Sequence, residues 1–403
     1  MYRSADTGGH TIARRLTRYA VLAHEPTVRE VAADYWLHSE PYYRGVMAEL
    51  TNLVAPHPAA RLALARLVDE PGDTAAERRL ENELEALLDA HPEQGPRVEP
   101  TLGHADDNIY IDYHRGAGHR SGVGRVQLAD LLAAPAAPPV RAGGPATVFV
   151  IIPLRDTGDT GRIRNLVACL RALRDQSLSD TAYRVTVVES DTEPRWRHVV
   201  EPLVDHYVHI PGDGRFNKSW TLNVGVRRTP GEAPLICLLD ADLLVDRQFL
   251  ERNVHRFLDP GHDGHLTHTE ALSMDEESSN RLIDERCFAG ASEPPLTAAR
   301  GLVLRHAPGG CVWIRSTLFH RIGGLDERYA GWGGEDEDMI VRMAAAGSIT
   351  QFDDVMVHLA HRRPAMRSSD GEPFNAHIPV GSWTGEDGYG APDGPSVGIV
   401  PVR

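Results

Sequence analysis

Two aspartates one residue apart, Asp240 and Asp242, close the apolar run Leu235-Ile236-Cys237-Leu238-Leu239. Alternation along a strand sends both carboxylates to one face, where one can hold a hard divalent cation and the other a sugar or ribose hydroxyl. The same pair could instead cap a helix over Asp246 to Phe257, and spacing alone leaves both readings open. A second acidic group, Gly331-Trp332-Gly333-Gly334-Glu335-Asp336-Glu337-Asp338, crowds four carboxylates beside a tryptophan. Their mutual repulsion raises the proton affinity of at least one, and a carboxylate beside a hydroxyl is a general base. Asp338 reads as the opening of a helix from Met339 to Ala346; Glu335 and Asp336 have no such structural explanation.

Basic groups complete the set. His358 and His361 follow the short apolar run Val355 to Val357. On a helix both would reach one metal ion, in an extended segment only one, and neutral imidazole joins carboxylate and phosphate oxygens around Mn²⁺-type ions. Lys218 is the one lysine among 42 basic side chains. It supplies a point charge suited to a diphosphate. In its segment, Phe216 to Gly225, Trp220, Leu222 and Val224 read as core, which leaves Phe216, Lys218 and Asn223 as the functional candidates. Arg155 follows the first apolar run and would reach a base or phosphate, or pair with Asp156 or Asp159.

These residues need a scaffold that brings strand ends together. Short apolar runs at 148–152, 184–188 and 235–239 alternate with helical segments such as Leu166 to Leu173, the pattern of a parallel sheet covered on both faces. Ligands of such sheets bind beyond the carboxyl ends of the strands. The three runs end in Pro153-Leu154-Arg155-Asp156, Glu189-Ser190-Asp191 and Asp240-Ala241-Asp242. Ahead of them, 1–92 reads as a helical domain of four or five short helices, punctuated by Pro26, Pro41, Pro56, Pro58 and Pro71. Residues 93–145 read as an irregular segment and linker, with an Ala-Pro run from Ala133 to Val140 and then Gly143-Gly144-Pro145. The α/β domain spans 146–367. The Gly-, Pro- and acid-rich tail, 368–403, reads equally as an acceptor-side lid or as disorder.

Composition sets the outer bounds. Hydrophobic residues at 41% and charged residues at 25% of 403 describe a folded chain, and a net charge of -15 argues against a sequence-independent grip on nucleic acid. Cys169, Cys237, Cys287 and Cys311 form no C-x-x-C pair and read as buried thiols. No segment offers the ~20 apolar residues that span a bilayer, and Met1 to Gly9 has no apolar signal core, so a cytoplasmic location is expected. The arginine, alanine and glycine bias points to a GC-rich bacterial genome.

From Thr147 to about Pro364 the chain resembles the GT-A glycosyltransferases, in the branch of the animal β-galactosyltransferases, the polypeptide N-acetylgalactosaminyltransferases and the bacterial chondroitin polymerases. The resemblance lies in five ordered blocks: Ile151-Ile152-Pro153-Leu154-Arg155; Phe216-Asn217-Lys218 through Gly225; Asp240-Ala241-Asp242; Gly309-Gly310; and Trp332-Gly333-Gly334-Glu335-Asp336. It implies an α/β nucleotide-diphospho-sugar transferase fold, mostly parallel, behind an all-helical N-terminal domain. It further implies that Pro153, Arg155, Phe216 and Lys218 line a UDP site, with Glu189 near the base and Asp240 on ribose or donor sugar. Gly309 and Gly310 would admit the donor and Trp332 would close over it. Asp242 would bind Mn²⁺ or Mg²⁺ with His358 or His361, His358 being preferred. Asp336 would be the base, with Glu335 orienting the acceptor. The implied activity is inverting, metal-dependent transfer from a UDP-sugar, hexose or N-acetylhexosamine, to a hydroxyl of a carbohydrate, natural product or peptide. Ala307, where galactosyltransferases carry a bulkier side chain, would leave room for an N-acetyl group. Glu189 stands where aspartate is more usual and Lys218 where arginine often does. The competing readings are a nucleotidyltransferase acting on sugar phosphates and a noncatalytic carbohydrate-binding or scaffold protein. The helical domain would recognise acceptor, form a homo-oligomer, or pack against the transferase.

Overall fold

The structure is a computed structural model, and it describes residues 11–394 except 121, 123, 135–144, 157, 159–160, 213, 368, 370 and 387. Most of the Ala133 to Val140 run and the following Gly143-Gly144 lie outside the described residues. In chain order the strands are β1 Ile111–Arg115, β2 Val148–Leu154, β3 Tyr183–Asp191, β4 His206–Pro211, β5 Leu235–Leu239, β6 Gly264–Leu266, β7 Glu270–Met274, β8 Arg300–Arg305, β9 Cys311–Arg315, β10 Ile349–Gln351 and β11 Met356–His358. The chain divides into two compact units, one of residues 1–123, 270–278 and 296–306, the other of the remainder.

The first unit is built on helices Ile12–His24, Pro26–Val31, Ala33–Val54, Pro58–Asp69, Thr74–Ala90 and Gln94–Asn108. Leu16, Tyr19, Leu50, Leu80 and Leu84 are sealed inside it, at the three- and four-residue spacing that makes one apolar face. Pro41 does not end a helix: it sits inside Ala33–Val54. Both Pro41 and Leu37, whose carbonyl loses its partner to the proline ring, are exposed, so water can take that bond. The segment read as irregular after residue 93 contains the helix Gln94–Asn108. It was hard to see because only Gly95, Val98, Leu102 and Ala105 are buried along it and Pro100 lies within it. β1, β8 and β7 form an antiparallel sheet in that order, with Asp112 opposite Val303 and Leu272 opposite Val303 on the other side. Asp112 is buried between Arg18 and Arg305, 3.2 and 2.6 Å away.

The second unit is a seven-stranded sheet in the order β10-β6-β9-β5-β2-β3-β4. All neighbours run parallel except β9, which lies antiparallel between β5 and β6. β2, β3 and β5 are buried along their whole length, as strands covered on both faces must be, so no hydrophobic alternation marks them. Helix Lys218–Arg228 lies against β2 and β3 at Gly225, where an added Cβ would run into Ile151 Cγ2 and come within 2.9 Å of Val188 Cγ2. That close approach sets how far Lys218, at the start of the helix, reaches over the sheet edge. The four cysteines are unbridged. Among the described residues no helix is long and apolar enough to cross a membrane.

Gly225→Ala should therefore cost about 1–3 kcal/mol through overpacking. Chemical denaturation checks this: an unchanged midpoint would mean the helix and sheet are not held at this distance.

Candidate active site

The end of β5 is pinned by backbone on both sides. Asp240 N donates to Gly310 O at 2.8 Å, and Leu359 N donates to Asp242 O at 2.9 Å. The two aspartates do not cap the next helix. That helix runs Phe249–Arg256, and it is Asp246 that accepts from Gln248 N at 2.8 Å. Asp240 and Asp242 are thus free for other partners, and each has its own.

Asp242 meets the two histidines. Its Oδ2 lies 2.9 Å from His361 Nε2 and its Oδ1 3.3 Å from His358 Nε2. One potential ligand atom from each residue falls within 4.8 Å of the others. Both histidines arrive although the backbone is not helical there: β11 ends at His358, and the irregular turn after it returns His361 to the same side. The choice between the two is therefore not forced by geometry. Burial would raise the Asp242 carboxyl, but His358 and His361 override it and hold it well below the usual range. Burial, with Arg363, His361 and Arg162 adding to it, pushes His358 down to about 3 against the pull of Asp242, so this imidazole is neutral. Asp242 Oδ1 is buried and makes no hydrogen bond among the described residues. An orphaned ionised oxygen that faces two imidazole Nε2 atoms is what a divalent cation would satisfy.

Asp240 belongs to a different cluster. Lys218 Nζ lies 3.0 Å from Asp240 Oδ1 and 3.2 Å from Asp336 Oδ1. Lys218 opens helix Lys218–Arg228, whose cap is Asn217: its side chain accepts from Trp220 N at 2.8 Å. Burial would lower the Lys218 ammonium, yet Asp240, Asp336 and Glu335 more than reverse it and hold it well above its usual value. Asp240 is lifted to about 6 by burial, opposed by Lys218 and assisted by Asp336 and Asp242. Lys218 is thus bound to two carboxylates, not held open for a diphosphate.

Glu335 and Asp336 lie in the first turn of helix Glu335–Ala346, which begins four residues earlier than the sequence suggests. Asp338 is not its opening residue. It is fully buried, accepts from Arg342 Nε at 2.8 Å and from Gly381 N at 2.7 Å, and so anchors the helix. Asp336 lies directly against Gly309, where any Cβ would overlap its carboxylate. Gly310, at φ +99°, turns the chain so that its carbonyl meets Asp240 N. Burial, with Asp336 repelling and Lys218 opposing, lifts Glu335 to about 7. Trp332 is 38% exposed, and its loop is tied to Phe216, whose carbonyl accepts from Gly331 N at 2.8 Å.

Other expected donor residues stand apart. Asn223 is fully buried and spent: it donates to Leu325 O at 2.8 Å and Glu327 Oε1 at 2.9 Å, and accepts from Leu325 N at 2.9 Å. It braces helix to loop and has nothing left for a ligand. Glu189 is buried, and it accepts from Trp196 N at 3.1 Å and from the Tyr207 hydroxyl. Burial raises its carboxyl despite those donors. Pro153 is buried within β2, opposite Val188, and Arg155 donates to Gly212 O at 3.3 Å.

The fold also gathers residues with no motif to announce them. Arg162 Nη2 lies 3.2 Å from His361 Nδ1, and Arg363 is pressed below its usual value by burial and by Arg162. His268 is fully buried; burial pushes it down to about 4 while the carbonyls of Ala307 and Gly309 and the Asp336 carboxylate resist. Asn375 clamps the Trp332 loop, accepting from Ala330 N at 3.2 Å and donating to Gly333 O at 2.8 Å. The adjacent Phe374 lies under Arg215, 4.4 Å from ring centre to guanidinium. The three arginines are a few among many, and Asn375 lies in a tail that reads equally as lid or disorder, so only the fold distinguishes them.

Lys218→Met would leave Asp240, Asp336 and Glu335 facing one another without a cation. Their proton affinities rise, so the variant should lose stability as pH climbs from 5 to 8, ending roughly 3 kcal/mol below the parent at pH 8. Urea unfolding at both pH values checks the sign; equal losses at the two would show that the lysine does not hold the carboxylates.

Residues 150–323 match Glycosyl transferase family 2, and residues 303–362 match the N-terminal domain of galactosyltransferase. The chain is 27% identical over 204 residues to a validoxylamine A glucosyltransferase of Streptomyces hygroscopicus subsp. limoneus, covering 44% of each. It is 27% identical over 144 residues to human beta-1,4-galactosyltransferase 3, covering 35% of this chain and 29% of that one. It thus spans less than half the length of these curated relatives. Among solved structures, Drosophila beta1,4galactosyltransferase 7 aligns at 15% identity and TM-score 0.36, over 55% of this chain and 76% of that one. A Pyrobaculum calidifontis mannosyltransferase in complex with GDP-Man and Mn²⁺ aligns at 19% identity and TM-score 0.37, over 59% and 63%. The mixed, mostly parallel α/β unit behind N-terminal helices is the fold the resemblance implied. Residues 150–362 are therefore a glycosyltransferase domain, of the family 2 kind and continuing into a galactosyltransferase segment.

Proposed function

We propose that the protein is an inverting glycosyltransferase that moves a sugar from a UDP-sugar to a hydroxyl acceptor with the help of Mn²⁺ or Mg²⁺. The observation that carries this reading is the convergence of Asp242, His358 and His361 beside a second cluster of Lys218, Asp240, Asp336 and Glu335. Asp242, His358 and His361 would hold the metal. Bound there, it supplies positive charge that stabilises a departing diphosphate.

The remaining work falls to side chains. Arg162 and Arg363, near the same carboxylate, add positive charge where the nucleotide diphosphate would sit, in a buried setting that strengthens each interaction. Asp240 accepts from donor-sugar or ribose hydroxyls, and Lys218 holds it in place. Gly309 and Gly310 let the donor approach the backbone, and Trp332 covers it. The Glu335–Asp336 pair supplies the general base for the acceptor hydroxyl, which attacks opposite the leaving diphosphate. A hexose and an N-acetylhexosamine are both admitted as donor, and a carbohydrate, natural product or peptide as acceptor. A bacterial cytoplasmic enzyme fits the composition.

Release of UDP from a panel of UDP-sugars, with and without Mn²⁺, tests the reading. One donor should be turned over, chelation should abolish turnover, and Asp242→Asn should lower it by ~10³ or more, the scale set by loss of charge stabilisation at a leaving group. Turnover unaffected by chelator and by Asp242→Asn would remove the metal from the account; release from no member of the panel would remove the UDP-sugar.

A further inference from the structure

The first unit displays a row of aromatic rings at its surface. Tyr35, His38 and Tyr42 stand three and four residues apart on helix Ala33–Val54, so they share one face of it. Tyr110 joins them at the entry to β1, where its N–H donates to Ser39 Oγ at 2.9 Å, and His306 joins them at the exit from β8. His38 stacks on Tyr110 with ring centres 3.8 Å apart, and Tyr35 and His306 make edge-to-face contacts with the same ring at 5.5 and 5.4 Å. Tyr42 continues the row beside His38 at 6.0 Å. His38 and His306 are exposed and the three tyrosines half-buried.

His306 is the unusual member. Among the described residues it is the one non-glycine residue with a positive φ, +60°, a left-handed conformation that costs energy in any residue with a Cβ. The Tyr35 hydroxyl holds it there, donating to its carbonyl at 3.0 Å. Its ring is thereby displayed on Tyr110. Neither its ring nitrogens nor the hydroxyls of Tyr42 and Tyr110 make a hydrogen bond among the described residues. Backbone strain that presents a polar ring to solvent serves binding better than packing.

The chemistry of the row narrows its ligand. It contains no fixed cation for a phosphate or carboxylate, and among the described residues no guanidinium stacks on these rings as Arg29 does on Trp36. A purely apolar partner would cover hydroxyl and imidazole groups without satisfying them, at a cost. A sugar ring matches both features. Its C–H face packs on an aromatic face, and its hydroxyls exchange hydrogen bonds with the tyrosine hydroxyls and imidazole nitrogens. The chain itself ties the row to the transfer site: Gly309, which packs against Asp336, follows His306 by three residues, no more than about 11 Å of backbone.

We propose that His38, Tyr42, Tyr110 and His306 bind neutral sugar units of a carbohydrate acceptor. This rests on the transferase reading above and selects carbohydrate among the acceptor classes. The binding is noncovalent and consumes no donor.

The test is calorimetric titration of maltotriose, cellotriose and chitotriose into the full chain, with and without Mn²⁺ and UDP, beside an array of neutral oligosaccharides. At least one oligosaccharide should bind. Tyr42→Phe, which keeps the ring and removes one hydroxyl, should weaken it ~5-fold, and His306→Gly ~10-fold, the scale of one hydrogen bond or one aromatic contact. Glycine accepts the left-handed backbone, so His306→Gly should melt close to the parent, and both variants should take up Mn²⁺ as the parent does. Binding of no oligosaccharide, or equal binding by the parent and both variants, would overturn the proposal. So would a parent dimer in sedimentation that His306→Gly splits into monomers, since the row would then be an interface between copies. Oligosaccharide binding that both variants weaken, in a chain that turns over no UDP-sugar, would reject the transfer reading and keep the carbohydrate site.

Discussion

One ammonium organises the candidate site. Lys218 Nζ is shared between Asp240, from the end of β5, and Asp336, from the first turn of helix Glu335–Ala346. Three separate elements of the second unit are joined at that point. Asp240, Asp336 and Glu335 would otherwise repel one another in a partly buried setting. With no other lysine in the chain, the charge is a compact point on a flexible stem. It can serve two carboxylates at once, where a planar guanidinium would favour one in a bidentate pair.

Everything around the lysine can be understood as holding it there. Gly225 lets its helix press onto β2 and β3, Asn217 caps the helix, and Asn223 ties it to the 325–327 turn. Gly309 leaves room for Asp336, and Asp338 with Arg342 anchors the acidic helix from below. The metal-ligating candidates form a second cluster, around Asp242. Asp240 and Asp242 thus face different partners, although they are two residues apart on one strand end. The separation has a chemical consequence: one cluster holds a neutral imidazole and a firmly ionised carboxylate, while the other keeps carboxylates whose proton affinities are raised.

Continuous apolar runs in the sequence marked β2, β3 and β5, three adjacent strands of the larger sheet, and pointed to the residues at their ends. Asp240, Asp242, Glu335, Asp336 and both histidines fall together because strand ends converge on one edge of such a sheet. What stayed illegible depends on contacts distant in sequence. Lys218 looked like a phosphate ligand because nothing in its neighbourhood shows that Asp240 and Asp336 reach it. Asn223 looked available because the 325–327 turn that consumes its amide is far along the chain. His361 seemed an alternative to His358 only so long as the turn between them was unknown. Helix Gln94–Asn108 is hard to read because few of its residues are buried, and the uninterrupted helix across Pro41 because a proline ordinarily ends a helix.

The proposed function requires Asp242, His358 and His361 to form one cation site beside the lysine cluster. Titrating Mn²⁺ into the purified chain and counting free ion by electron paramagnetic resonance measures it directly. A single saturable site per chain is expected, tightened by UDP and lost in Asp242→Asn and in the double variant His358→Ala, His361→Ala. Equal Mn²⁺ uptake by the parent and by those variants would contradict it.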